Sequence, residues 1–296
     1  MHLSMASICR FTTLALYSAQ LSSAYWLDSS CEGKNIDKNK LVGAINNAMG
    51  MAARASQDWD KDEVRDLKTI IFGSAAEQAR QFFDRIYGNG QDPTFTQQNE
   101  QDKINFFCDV DALEVTDDPN PNNKSGKKTY NKVVKMRAYG DGVKDCESTD
   151  GVSGLKGYTA NFQGRSYIVL CPWFLEKMNV VKVPTSEKII SAIKNPFRAV
   201  NKGIDSLPDF SGNSMDTMYL LDQTILHEIT HTLYAGYAKD VAGGNSYEWK
   251  NVRTLSKGST GWQNAESLAF FGLGVDLIRQ GYTVQENGNI KKSKNK

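Results

Sequence analysis

Two imidazoles four residues apart, inside a run of apolar side chains, constrain this chain more than any other feature. The stretch LLDQTILHEITHTLYAGYAKD, residues 220 to 240, contains HEITH. Helical positions four apart share a face, so His227 and His231 aim both rings at one point. Glu228 lies about 100° round the helix from His227, near that point without sharing its direction. Met218, Leu220, Leu221, Ile225, Leu226, Ile229 and Leu233 make the rest apolar, which predicts a buried helix from about Met215 to Tyr234. Two readings follow: histidines satisfied by neighbouring carboxylates, or histidines sharing a metal ion. Three fixed positions alone recur by chance in long chains. Here the apolar context, a secretory route and the use of His227 and His231 as the chain's only histidines besides His2 favour the metal.

The first 24 residues define the setting. MHLSMASICR carries one firm positive charge, Arg10, and is followed by a mildly apolar FTTLALYSAQLSSA ending in small residues. That is the layout of a secretory signal peptide. Ser22 and Ala24 fit the small-residue rule before a cut, predicting a mature start at Tyr25, with Gln20 the second choice. The apolar core is too short to span a bilayer, and no later segment reaches such a length. The expectation is a secreted, extracellular monomer with no membrane partner. Cys9 leaves with the signal; Cys31, Cys108, Cys146 and Cys171 remain, an even number in an oxidising route, which predicts two disulfides. Four cysteines allow three pairings, and Cys31 with Cys108 plus Cys146 with Cys171 gives two successive, unentangled loops. No CxxC spacing suggests a cysteine zinc site. Without Arg10 the basic and acidic residues balance, so nothing recruits nucleic acid.

With 40% hydrophobic and 23% charged residues the composition is that of a globular protein. No long linker divides residues 25–285, which read as a single domain with a helical first part, 35–90, and a sheet and site part, 100–285. In the first part NIDKNKLVGAINNAMGMAARA places Leu41, Ile45, Ala48, Met49 and Ala52 on one face, and AAEQARQFFDRIYG repeats the theme before a Gly stop. INFFCDVDALEV, YNKVVKMRAY and RSYIVLC are short and rich in β-branched and aromatic residues, predicting a small twisted sheet. A helix around SEKIISAIKNPFRAV, the HEITH helix and a last helix NAESLAFFGLGVDLIRQ follow. Helix, sheet, then helices is an α+β order. Residues 286–296, ending in KKSKNK, read as a solvated, disordered basic tail. Asn123-Lys124-Ser125 is a glycosylation sequon in a polar loop. No basic pair between Tyr25 and the first helices marks a propeptide boundary.

A catalytic zinc needs three protein ligands and an open position. With His2 leaving in the signal segment, no third histidine remains to supply one, so a carboxylate is the first expectation, ahead of a cysteine or tyrosine. Asp240, nine residues after His231 and past Gly236, and Glu266 on the next helix are the candidates. At Gly236-Tyr237-Ala238-Lys239-Asp240 the chain resembles the fungal aspzincin metallopeptidases, the deuterolysin and peptidyl-lysine endopeptidase group, whose pattern is HExxH followed by GTxDxxYG. Tyr237 stands where the pattern has Thr, and the spacing from HExxH to Asp is kept. Asn264-Ala265-Glu266-Ser267-Leu268-Ala269-Phe270-Phe271 is similar to the family's NADSYxxF helix, and Ile168-Val169-Leu170-Cys171-Pro172 to its strand before the active helix. The likeness covers about residues 165 to 272.

The resemblance implies a zincin-like fold, one Zn2+ ion held by His227, His231 and Asp240, Glu228 as general base, and Glu266 as a supporting group rather than a ligand. It implies a protein or peptide substrate, with a lysine preference in some relatives. The family's tyrosine, which helps polarise the scissile carbonyl, should follow Asp240 after two residues. Here Val-Ala-Gly-Gly-Asn-Ser intervenes before Tyr247, and Glu248 follows it. Tyr247 is the expected catalytic tyrosine if the loop lets it reach the metal, whereas Tyr234 and Tyr237 read as packing residues. The displaced tyrosine is the one feature favouring an alternative, a secreted, disulfide-stapled binding or effector protein on a catalytically impaired zincin scaffold.

Overall fold

The computed structural model describes residues 25–33, 36–91, 104–111, 113–117, 127–131, 136–138, 146, 155–162, 164–180, 214–217 and 221–293. The signal segment, the sequon and the helix expected around residues 186–200 lie outside the described residues.

The helical first part forms on the predicted stripes, but the helix of AAEQARQFFDRIYG passes its expected glycine stop at Gly88 and runs on to Gln91. Helix α1, Lys38–Gln57, starts at Asp37, whose side chain accepts from the Lys40 amide at 3.1 Å. It buries Leu41, Ile45, Ala48, Met49 and Ala52. Its small residues let other helices approach, and α1 packs against α3 (Ala76–Gln91), α5 (Leu221–Thr230) and α7 (Ala265–Arg279). Between α1 and α3 lies α2, Asp62–Phe72. The ring of Phe271 on α7 meets Trp59, Phe72 and Phe83 at centroid distances of 5.0, 5.3 and 5.3 Å, which ties α7 to the helical first part.

The middle holds two sheets where the sequence predicts one. A four-stranded sheet has the order β1 (Tyr25–Leu27), β2 (Ile104–Phe107), β7 (Arg165–Leu170), β6 (Gly157–Phe162). β1, β2 and β7 run parallel, and β6 pairs antiparallel with β7. β3 (Leu113–Asp117), β4 (Lys127–Asn131) and β5 (Met136–Ala138) form a separate antiparallel sheet. INFFCDVDALEV therefore breaks into β2 and β3. Cys108 is tied to Cys31, and Asp109 turns the chain by accepting from the Asp111 amide at 3.2 Å. The larger sheet is covered on both faces: Ile168 and Leu170 face the helical core, while Tyr167 and Val169 face a second cluster with Phe107 and Phe174. A strand buried on both sides reads as a continuous apolar run, as SYIVL does.

The disulfides are Cys31–Cys108 and Cys146–Cys171, the unentangled pairing. The first joins the chain just beyond β1 to the end of β2. The second holds Cys146 to Cys171, between β7 and α4 (Pro172–Val180). Among the described residues no helix is long and apolar enough to cross a membrane.

The expected disordered tail needs correction. β8 (Tyr282–Val284) and β9 (Ile290–Lys292) form a hairpin, so residues 286–293 are structured. Ile290 is buried, the Gly288 carbonyl accepts from the Met215 amide, and the Glu286 carbonyl accepts from the indole of Trp249 at 2.9 Å. Trp249 opens α6, Trp249–Leu255. One apolar residue among polar ones carries too weak a pattern to announce this strand.

Deleting the ring at the junction of helices should cost most. Phe271→Ala is expected to destabilise the protein by about 3–5 kcal/mol, read as a lower denaturant midpoint in equilibrium unfolding.

Candidate metal centre

Helix α5 carries His227 and Glu228 but ends at Thr230, four residues earlier than expected. The C-terminal groups of the turn are taken by other partners. Thr230 Oγ1 and Thr232 Oγ1 donate to the carbonyls of His227 and Ile229 at 2.7 and 2.6 Å. The Leu233 amide turns to the sheet, donating to Asn161 Oδ1 and Ser166 Oγ at 3.1 and 2.9 Å. Leu233, expected on the apolar helix surface, is consequently 44% exposed. His231 sits in the turn past the helix, its amide donating to the Glu228 carbonyl at 3.1 Å.

The loop beyond brings Asp240 back. The Ala238 amide donates to the Thr230 carbonyl, the Lys239 amide to the Gln263 carbonyl, and the Ala265 amide to the Lys239 carbonyl, at 2.9, 2.9 and 3.0 Å. Backbone pairing thus clips the residue before Asp240 to the start of α7. Tyr237, expected to pack, is instead 53% exposed, with φ 65° in the left-handed region.

Both imidazoles are fixed by their Nδ1 atoms. His231 Nδ1 lies 2.8 Å from the Ala238 carbonyl oxygen, which can only accept, so that nitrogen bears the proton. His227 Nδ1 lies 2.9 Å from Glu266 Oε2, a carboxylate that orients the ring in the same sense. Gln223 Nε2 donates to the other oxygen of Glu266 at 3.3 Å. The two Nε2 atoms then face each other at 3.2 Å. Asp240 Oδ1 stands 3.6 Å from His227 Nε2, and Oδ2 stands 3.6 Å from His231 Nε2. Donor atoms of His227, His231 and Asp240 all lie within 4.8 Å of one another and could hold a metal ion. Asp240 Oδ1 is buried without a hydrogen-bond partner among the described residues, and a cation would supply one. Glu266 is on the Nδ1 side of His227, away from this point, and acts as the partner of a ligand candidate.

Tyr247 reaches the centre despite the insertion. Residues 243–246 form a short turn closed by the Ala242 amide on Ser246 Oγ at 2.9 Å, and Asn264 Nδ2 holds the Ser246 carbonyl at 2.9 Å. The Tyr247 ring stacks on His227, centroids 5.6 Å apart, and its hydroxyl donates to Asp240 Oδ2 at 2.8 Å. Glu228, the remaining expected residue, is buried against Thr159 of β6. Thr159, Gln223 and Asn264 are the site residues that sequence reasoning missed. They are common polar types whose position depends on elements far apart in the chain.

The charges interlock. Burial pushes His227 down, but its hydrogen bond to Glu266 and the charges of Glu266, Glu228 and Asp240 outweigh that and raise it to about 9. Burial pushes Asp240 up, and the two histidines with the Tyr247 hydroxyl pull it down to about 2. Burial and the surrounding carboxylates, Asp240 first, push the Tyr247 phenol far up, so it stays a donor.

Compared with protein-family models, curated proteins and solved structures, the chain matches none.

Two outcomes test the centre. In metal titrations at fixed pH, Asp240→Ala should lose affinity steeply, because it leaves two imidazoles, whereas Glu266→Ala should still bind, weakened about 10- to 100-fold. Release by Glu266→Ala with retention by Asp240→Ala would reverse the ligand assignment. In the metal-free protein the folded pKa of His227, about 9, exceeds its ordinary 6.5, so its stabilisation is complete below pH 6.5 and lost as pH rises through about 9. The thermal midpoint of chelated protein should therefore fall between pH 6.5 and 9, and much less so in His227→Gln.

Proposed function

We propose that the protein is a secreted zinc-dependent endopeptidase with a zincin-like catalytic domain, similar to the aspzincin metallopeptidases. The observation that carries this reading is the pair of Nε2 atoms 3.2 Å apart, with both Nδ1 atoms committed elsewhere and Asp240 facing them. Two nitrogens at 2.0–2.1 Å from a tetrahedral zinc would be separated by about 3.3 Å. The donor set of two imidazoles and one carboxylate leaves a fourth position open, as catalytic zinc requires. Two disulfides fit an extracellular protein.

When bound, zinc would supply Lewis acidity, polarising a carbonyl and lowering the pKa of a water towards about 7. Glu228, beside His227 in sequence and buried, takes the proton of the attacking water and passes it to the leaving amine. Asp240 and the histidines hold the ion, and Glu266 keeps His227 in the tautomer with a bare Nε2. The Tyr247 hydroxyl, now on Asp240 Oδ2, is the donor positioned to stabilise a developing oxyanion once that bond is exchanged. Protein or peptide is the substrate class. The alternative, a binding or effector protein on an impaired scaffold, drew on a displaced tyrosine. Tyr247 lies against His227, which favours the peptidase reading over that alternative.

Glu228→Gln should keep zinc and fold while turnover of a denatured protein substrate falls by about 100-fold or more. Metal content and turnover are measured on the same sample, and near-normal turnover would remove Glu228 from its role. Wild-type activity should be abolished by o-phenanthroline and restored by zinc; activity indifferent to chelators would end the metallopeptidase reading.

A further inference from the structure

Successive residues of a strand alternate faces, so Gly157, Thr159 and Asn161 of β6 share one face, and all three address the end of helix α5. Gly157 leaves no space for a side chain there. A Cβ at that position would lie 2.9 Å from the Val169 carbonyl oxygen and 3.7 Å from Glu228 Cγ. Asn161 Nδ2 donates to the His231 carbonyl at 2.8 Å, and its Oδ1 accepts from the Leu233 amide at 3.1 Å. Thr159 Oγ1 lies 2.8 Å from the backbone oxygen of Glu228 and 2.8 Å from its carboxylate Oε2.

A hydroxyl has one proton to give. Both oxygens of Glu228 within its reach are acceptors while the carboxylate is ionised, so the proton is shared between them. One threonine therefore ties the carboxylate to the carbonyl of its own residue and fixes a side chain that otherwise rotates about several bonds. The same contact gives a second donor to a carbonyl in the last turn of α5 that already accepts from the His231 amide. Oε1 accepts no hydrogen bond among the described residues and stays available for proton transfer.

Resting on the peptidase reading above, we infer that Thr159 is a positioning residue for that reaction: its hydroxyl holds Glu228 through Oε2 and leaves Oε1 to move the proton. Asn161 and Gly157 set the helix end and the clearance that let it do so. The inference separates two functions of β6, supporting the helix by Asn161 and aiming the carboxylate by Thr159.

Thr159→Val removes the hydroxyl at nearly constant shape, Thr159→Ala removes it with less bulk, and Thr159→Ser restores it. Since a misplacement of about 1 Å can cost about 100-fold, Thr159→Val should lower kcat by about that factor with KM near the wild-type value and zinc content unchanged, and Thr159→Ser should recover kcat. In crystals of the metal-free variants, Glu228 should leave its present rotamer in Thr159→Val and keep it in Thr159→Ser. The inference is overturned if Glu228 stays put in Thr159→Val, whatever kcat does, or if Thr159→Ser is as impaired as Thr159→Val. It is also overturned if neither Thr159→Val nor Thr159→Ala folds while Thr159→Ser does, since the hydroxyl would then serve stability alone. A wild-type protein without turnover would sink the peptidase reading, yet the Glu228 rotamer would still decide what Thr159 does.

Discussion

Two imidazole nitrogens with their lone pairs turned towards each other, at 3.2 Å and largely out of water, repel unless a cation lies between or beside them. Neither ring can escape by exchanging tautomers. His231 would set a bare nitrogen against the Ala238 carbonyl, and His227 would set one against the Glu266 carboxylate. In the metal-free chain burial opposes a charged His227, but its hydrogen bond to Glu266 and the charges of Glu266, Glu228 and Asp240 hold it protonated well above its ordinary range. A metal ion would displace that proton, so metal affinity and acidity are opposed at this point. Asp240 adds the negative charge that makes either cation more welcome.

The rest of the fold keeps those groups from relaxing apart. His227 and Glu228 ride on α5, Glu266 on the first turn of α7, and Asp240 on a loop paired with the residues before α7. Helix α1 locks the two helices together from behind. Arg54 donates to both carboxylate oxygens of Asp276 on α7, at 2.5 and 2.6 Å, and to Asn47 at 3.2 Å, while Asn47 donates to Asp222 on α5. A bidentate pair of this kind adds geometric specificity to its energy. At Gly272 a Cβ would lie 2.6 Å from Leu226 Cδ2, so α5 and α7 meet where glycine leaves room beside the residue preceding His227.

Strain gathers where the site is assembled. Tyr237 and Glu248 have left-handed backbones, φ 65° and 68°, and flank the loop that delivers Asp240 and Tyr247. Such conformations cost non-glycine residues about 1–3 kcal/mol each and persist only where surrounding structure over-determines them. Here the over-determination is visible in the Asn264 amide on the Ser246 carbonyl and in the Trp249 amide on Asp216 Oδ1 at 2.6 Å.

The sequence by itself determined the helices with strong 3.6-residue stripes, the two-disulfide framework, and the meeting of His227 with His231, because each follows from spacing along one element or from counting cysteines. It also narrowed the third ligand candidate to Asp240 or Glu266. Only the tertiary structure separated these two, since the choice depends on which imidazole nitrogen each carboxylate faces. Three-dimensional contacts likewise decided that INFFCDVDALEV serves two sheets, that α5 stops at Thr230, and that the six residues after Asp240 return Tyr247 to His227. The first two depend on a disulfide or hydrogen bond between distant residues, Cys31 with Cys108 and Asn161 with the Leu233 amide, and local periodicity carries no trace of a partner 70 or more residues away; the third depends on the Asn264 side chain holding the Ser246 carbonyl.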